Sequence, residues 1–251
     1  MKLSLLNNRG GMAALVALRS RRRVRFISSA TTMKWEGGVS MVQGASRGIG
    51  LEFVKQLLEK NEKGHVVATC RNPNGATGLL DLKSILSIPN VIQPETTLNK
   101  VEKSSLILAY EINAVGPILV MKHMWPLLKA GGRSGTERDV AVVANLSARV
   151  GSIGDNRLGG WHSYRSSKAA LNQLTKTASV EFARKKDRII CILLHPGTVD
   201  TDLSRPFQNN VPEGKLFTKE FSVEKLLNII NNTSSHDNGK FFAWDGQEIP
   251  W

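Results

Sequence analysis

The chain has 251 residues, 41% of them apolar, enough for the core of one α/β domain and too few for more than two small ones. Its formal net charge is +13, but Lys2, Arg9, Arg19, Arg21, Arg22, Arg23, Arg25 and Lys34 all precede the first acid, Glu36. Charge held mostly in a terminal tail does not call for a nucleic-acid surface on the folded body, and no nucleic-acid partner is expected.

Residues 1–35 are arginine-rich, contain serine and lack acids, the composition of an organelle import segment. Arginines follow the apolar stretch 12–18, where a secretory signal would carry small residues at a cleavage site. No apolar run reaches the length of a membrane span, so none is expected. The expectation is a removable transit segment for mitochondrion or plastid, against the alternative of a basic extension on a cytoplasmic protein. Residues 36–251 would then form the folded domain.

Val39–Gln43 reads as a short strand. It runs into Gly44-Ala45-Ser46-Arg47-Gly48-Ile49-Gly50, and residues 51–58 follow with helical periodicity. Glycines at such a switch let the backbone turn tightly and approach a pyrophosphate, which the next helix N-terminus attracts. Residues 65–70 form a second strand candidate. Dinucleotide folds place an acid about 20 residues past the glycines to bind the ribose 2′-hydroxyl. Here Arg71 stands near that place, and Arg47 lies inside the turn. Two arginines suit a 2′-phosphate and favour NADP(H) over NAD(H).

The pattern weakens from 72 to 110. Residues 78–86 fit a helix and 84–88 a strand, before Pro89 and Pro94. Residues 104–128 read as a long apolar helix, interrupted at Gly116-Pro117 and Pro126, with Asn113-Ala114 inside. A polar loop spans 131–139. Residues 140–146 read as a buried parallel strand ending at Ser147, and open α/β sheets bind ligands at such carboxyl ends. A glycine-rich loop, 151–160, leads to Tyr164-Arg165-Ser166-Ser167-Lys168.

Four residues separate the Tyr164 phenol from the Lys168 ammonium, which puts both on one helix face, one turn apart. Ala169, Ala170, Leu171, Leu174 and Ala178 continue an apolar stripe. Bringing a tyrosine from pKa about 10 toward 7 takes about 4 kcal/mol. A unit charge about 4 Å away supplies that at an effective dielectric of about 20. A partly buried Lys168 is therefore expected to lower the Tyr164 pKa. His162 reads as a loop residue. Cys70 and Cys191 lie in apolar runs, with no CxxC, and read as buried free thiols. The five histidines are scattered and no metal site is expected.

Residues 188–195 form another buried strand, followed by Pro196-Gly197-Thr198-Val199-Asp200-Thr201. Residues 202–221 read as a lid or binding loop, with Phe207, Leu216 and Phe217 suiting an apolar substrate. Residues 223–231 read as helix and 240–244 as a last strand.

Together these motifs resemble the short-chain dehydrogenase/reductase superfamily over about residues 38–251. The closing Trp244-Asp245-Gly246-Gln247-Glu248-Ile249-Pro250-Trp251 resembles its C-factor and sniffer-like carbonyl reductase branch. The resemblance implies an α/β fold, a Rossmann-type doubly wound parallel sheet in a single domain. It implies NADPH-dependent reduction of an aldehyde or ketone, a small-molecule carbonyl, by hydride transfer. Tyr164 would be the acid, Ser147 would hold the carbonyl, and Lys168 would bind the nicotinamide ribose and tune Tyr164. Asn113 would place a water in the proton relay. Gly44, Ser46, Arg47, Gly48, Ile49, Gly50 and Arg71 would bind the cofactor with Asn113, Tyr164 and Lys168, and Pro196, Gly197, Val199 and Thr201 would close over it. Such chains assemble as homodimers or homotetramers.

The sequence departs from the family between Arg71 and Asn113, which is short by about one strand-helix-strand unit, roughly 30 residues. The sheet is expected to lack about two strands and one helix. One missing strand normally lies beside the first strand, and its loss leaves backbone groups unpaired at about 1–3 kcal/mol each. Either 84–88 substitutes for it, or the first strand and 140–146 pair directly, or the product folds poorly. The alternative function is an inactive, truncated relative: a partner subunit, or a splice or gene-model product.

Overall fold

The computed structural model of the chain describes residues 4–6, 15–19, 33–61, 63–70, 95–131 and 136–251. Arg71 and the 78–88 region, read above as helix or strand, lie outside the described residues. The chain divides into two compact units.

In the first unit, strand β3 (Val39–Gln43) leads into helix α1 (Gly48–Lys60) and on to β4 (His65–Thr69), parallel to β3. Helix α1 buries Val54 and Leu57, and β4 buries Val66 and Ala68. Val54, Leu57 and Val66 each contribute about 1.5–3 kcal/mol, and the Ala68 methyl about 0.8. The other edge of β4 carries β2 (Leu15–Arg19), antiparallel, and β2 carries β1 (Ser4–Leu6). The tail segment 15–19 thus supplies a strand to this sheet.

The second unit is built on a parallel sheet of β5 (Ala141–Leu146), β6 (Ile189–His195) and β9 (Phe241–Ala243), with β6 central. Helix α4 (His162–Arg184) packs on β6 through residues spaced three or four apart, including Leu171, Ala178 and Phe182. Phe182 and Ala178 meet Met121, Ile189 and Cys191, while Leu171 meets Leu193, Phe241 and Ile249. Cys70 and Cys191 are buried, and burial pushes the Cys191 thiol up to about 12, so it is inert.

Direct pairing of the first strand with 140–146 is not what forms. Among the described residues β3 pairs only with β4, and β5 only with β6. The open edge of β3 leaves Val39 71% and Met41 38% exposed. Among the described residues no further strand pairs with either edge.

The long apolar stretch is one helix, Lys103–Gly131. It runs as α2 (Lys103–Tyr110), a wider π turn (Glu111–Val115) and α3 (Gly116–Gly131). The interruption expected at Gly116-Pro117 takes the form of that π turn, whose wide bond runs from the Gly116 N–H to the Glu111 carbonyl, and the helix continues through both Pro117 and Pro126. By length and composition this helix passes for a membrane span, contrary to the reading of the sequence. Here it packs on α4 instead.

Residues 202–221 are more ordered than a bare loop. They hold a 3-10 turn (Arg205–Asn210) and strand β8 (Leu216–Phe217), which pairs with β7 (Thr198–Val199). Helix α5 (Lys219–Asn232) then begins earlier than the apolar periodicity suggested.

Candidate active site

The sheet of the second unit ends at Leu146, and Ser147 follows at its carboxyl end as expected. The Ser147 N–H donates to the Leu194 carbonyl at 2.8 Å, which extends the β5–β6 ladder by one residue. Its hydroxyl is buried and donates to Asn172 Oδ1 at 2.6 Å. The Asn172 amide in turn donates to the Gly151 carbonyl at 3.3 Å, so the direction of the Ser147 proton is fixed.

Tyr164 and Lys168 stand on the first turns of α4, as the spacing required. Lys168 Nζ lies 5.7 Å from the Tyr164 ring centroid and donates to the Leu146 carbonyl at 3.0 Å. It is brought there by close packing: a Cβ on Gly151 would sit 2.7 Å from the Lys168 Cβ. Among the described residues no hydrogen bond joins the Tyr164 hydroxyl to Ser147.

The electrostatics differ from the expectation. Burial pushes Tyr164 up to about 12 and Lys168 down to about 8. The spacing placed the pair correctly, but burial penalises both charged forms, and here it outweighs the cation's pull on the phenol. The result is a phenol firmly protonated at neutral pH.

Asn113 lies in the π turn and donates to Ser167 Oγ at 3.0 Å, and that hydroxyl donates to the Tyr164 carbonyl at 2.9 Å. This links the long helix to the turn carrying the phenol. His162, read as a loop residue, is instead the first residue of α4.

In the first unit, Gly44 and Gly48 hold φ of +77° and +56°, and a Cβ on either would meet nothing within 4 Å. A Cβ on Gly50 would collide with the Gly44 carbonyl oxygen. The Gly44 and Ala45 N–H groups both donate to the Thr69 carbonyl, at 2.9 and 3.0 Å. The N-cap residue of helix α1, Arg47, makes no side-chain cap bond, and the N–H groups of a helix start are anion ligands in kind. A bare, tight turn at an uncapped helix start fits a diphosphate, with Ser46, Arg47 and Ile49 in the same turn. The glycine turn belongs to one unit. Asn113, Ser147, Tyr164, Lys168, Pro196, Gly197, Val199 and Thr201 belong to the other.

The short chain dehydrogenase family matches residues 88–212. An uncharacterized oxidoreductase of Schizosaccharomyces pombe is 31% identical over 268 residues, covering 88% of this chain and 100% of the relative. The NADPH-bound carbonyl reductase from chicken fatty liver matches with a TM-score of 0.72 at 30% identity, over 85% of this chain and 98% of that one. The chain belongs to the short-chain dehydrogenase/reductase family. Carbonyl reductase Sniffer of D. melanogaster, with a TM-score of 0.72 at 28% identity over 86% and 99%, sets it on the sniffer-like branch. It is an oxidoreductase with that family's Rossmann-type α/β fold. The alignment with the Schizosaccharomyces pombe relative spans 268 positions yet 88% of this chain, so the relative carries residues with no counterpart here.

Past β6 the dehydrogenase turns through Pro196 and Gly197, whose φ is +78°. A Cβ there would lie 2.5 Å from the Phe217 ring, which packs edge-on against Trp244 at 4.5 Å. Val199 is buried, and the Thr201 N–H donates to Ser204 Oγ at 3.2 Å. The segment is therefore held by its own hydrogen bonds and by the β7–β8 pair.

Asn172 and His195 escaped the sequence reading. Asn172 had a signal, since it lies one turn past Lys168 on the same face. His195 had none beyond its strand. Its Nδ1 is buried without a partner among the described residues. Burial pushes it down to about 4, helped by Arg149 and opposed by Asp245 and Asp155. The unfolded chain, with His195 near 6.5, then binds more protons between pH 6.5 and 4. Stability should fall across that window by up to roughly 3 kcal/mol. Urea unfolding at pH 7.5 and 4.5 measures the loss, and His195→Gln should remove most of it.

Proposed function

We propose that this dehydrogenase reduces an aldehyde or ketone to an alcohol with NADPH, using Tyr164 as the acid. The observation that carries the proposal is a half-buried, protonated phenol one helical turn from a buried lysine, at the end of the strand that leads to Ser147. NADPH, when bound, supplies the hydride. Adding a hydride to a carbonyl makes an alkoxide, which needs a donor in place as the charge develops. A phenol near 12 still lies far below water's about 15.7, so Tyr164 gives its proton downhill. The same value disfavours the tyrosinate that alcohol oxidation would need, which supports reduction as the running direction.

Ser147 can hold the same oxygen only after its hydroxyl turns away from Asn172, because a hydroxyl carries one proton. Lys168 offers its remaining N–H groups to the nicotinamide ribose while bonded to Leu146. Asn113 fixes the α4 turn through Ser167, and its role in this reading is to carry a water in the proton path. Gly44, Ser46, Arg47, Gly48, Ile49 and Gly50 hold the diphosphate, and Arg47 with Arg71 selects NADP(H). Pro196, Gly197, Val199 and Thr201 cover the nicotinamide.

A second reading, an inactive truncated relative, is favoured by the open edges of β3 and β5. One experiment separates them. Under the first reading, purified protein consumes NADPH when given an apolar ketone or aldehyde. NADPH at about 100 times its Kd also stabilises the fold by about 2.7 kcal/mol, raising the melting temperature by several degrees. A flat melting curve and no turnover would leave the inactive reading.

The exposed apolar side chains Ile107, Leu108, Ile112, Val115 and Leu119 support a homodimer or homotetramer, which light scattering of the same sample reads. Residues 1–35 are proposed as a mitochondrial or plastid import segment. A reporter fused to residues 1–40 that stays diffuse in the cytosol would refute this.

A further inference from the structure

Helix α4 carries Tyr164 and Lys168, yet it begins without a cap of its own. Its N-cap residue, Trp161, makes no side-chain cap bond, and no acid lies in its first turn. Trp161 also sits in the left-handed region, φ +54°, which a bulky side chain rarely adopts. Both peculiarities have one answer elsewhere in the chain. The Glu95 carboxylate accepts from the Ser163 N–H at 3.2 Å and from the Ser163 hydroxyl, and the Glu95 carbonyl accepts from the Trp161 N–H at 2.6 Å. Glu95 and Ser163 are both buried. Gly160, φ +64°, lets this segment approach, since a Cβ there would lie 3.3 Å from the Thr96 carbonyl oxygen.

We propose that Glu95 is a positioning residue: it caps the catalytic helix from outside it, holds Trp161 in its left-handed turn, and so sets where the Tyr164 hydroxyl points. The proposal rests on the reading of Tyr164 as the acid. Burial alone would raise the Glu95 carboxyl. The hydrogen bonds from Ser163, with the nearby His162, hold it below its ordinary value, so it is a carboxylate at neutral pH. A negative charge at a helix N-terminus is favourable both to the open N–H groups and to the helix dipole. The Trp161 ring lies 6.2 Å from Tyr164 and 4.9 Å from Phe207, so the turn that Glu95 fixes also forms the aromatic wall beside the phenol.

Two readouts on Glu95→Ala and Glu95→Gln test this. Amide hydrogen exchange does not depend on activity. In Glu95→Ala it should rise about tenfold at residues 163–167 and stay unchanged at 171–182, with Glu95→Gln, which keeps one acceptor, between. In steady state, kcat for carbonyl reduction should drop about 10- to 100-fold in Glu95→Ala, with KM for NADPH within about twofold of wild type and partial recovery in Glu95→Gln. A purely structural role would lower the melting temperature and leave kcat per folded molecule alone. Wild-type exchange at 163–167, or a kcat within about twofold of wild type, overturns the proposal. If the wild-type chain turns over no carbonyl, the functional reading fails and exchange alone decides for or against Glu95. Should Glu95→Ala not accumulate folded, Glu95→Gln and Ser163→Ala carry the same readouts.

Discussion

Tyr164→Phe is expected to lower carbonyl reduction by about a thousandfold, within the 10²–10⁴ that a positioned general acid supplies. The fold should barely respond. The substitution removes one hydroxyl and keeps the ring, which retains its contact with Trp161. That hydroxyl makes no hydrogen bond to Ser147 among the described residues, so its loss leaves no donor or acceptor stranded there. The melting temperature should stay within about 2 °C of wild type, the scale of a change of about 0.5 kcal/mol. NADPH should still shift it, because the turn at Gly44–Gly50 is untouched. Initial rates with one carbonyl substrate, taken beside a thermal melt, measure both. A variant that turns over normally would mean that another group gives the proton, and His162, at the start of the same helix, would be the next to test.

What the sequence made legible, and what it hid, divide along a physical line. The strand-glycine-helix order at 39–60 and the Tyr164–Lys168 spacing are local, and local patterns report which face a residue takes. They do not report how deep that face lies. The spacing therefore put Lys168 beside Tyr164, but its effect on the phenol was set by burial, which comes from Gly151 and the end of β5. The Ser147 hydroxyl was visible at a strand end, while its hold on Asn172 needed the α4–β5 packing. Glu95 was invisible for the same reason: it lies 68 residues from Ser163, and no periodicity joins them. The shortened stretch before Asn113 was legible as a loss. That β3 pairs only with β4, and β5 only with β6, among the described residues is a tertiary outcome.

Reduction should weaken as pH rises through about 8, and Lys168→Met should abolish both that dependence and most of the rate. Burial brings Lys168 down to about 8, while Tyr164 stays protonated to about 12. An alkaline limb near 8 therefore belongs to the lysine. Below it, the ammonium has protons for the Leu146 carbonyl and for the nicotinamide ribose. Above it, kcat/KM should lose about tenfold per pH unit, with a slope of one proton. In Lys168→Met the profile should be flat from pH 7 to 10, at a rate about 10²-fold lower at pH 7. Stability carries the opposite sign. The unfolded lysine titrates near 10.5 and the folded one near 8, so the unfolded chain binds more protons between those values. The fold is therefore strengthened by this group as pH rises from 8 to 10.5, over the range where activity falls. Urea unfolding in that window, on wild type and Lys168→Met together, separates a lost catalytic proton from simple alkaline unfolding. A limb near pH 8 that survives in Lys168→Met would assign the lost proton to a group other than this lysine.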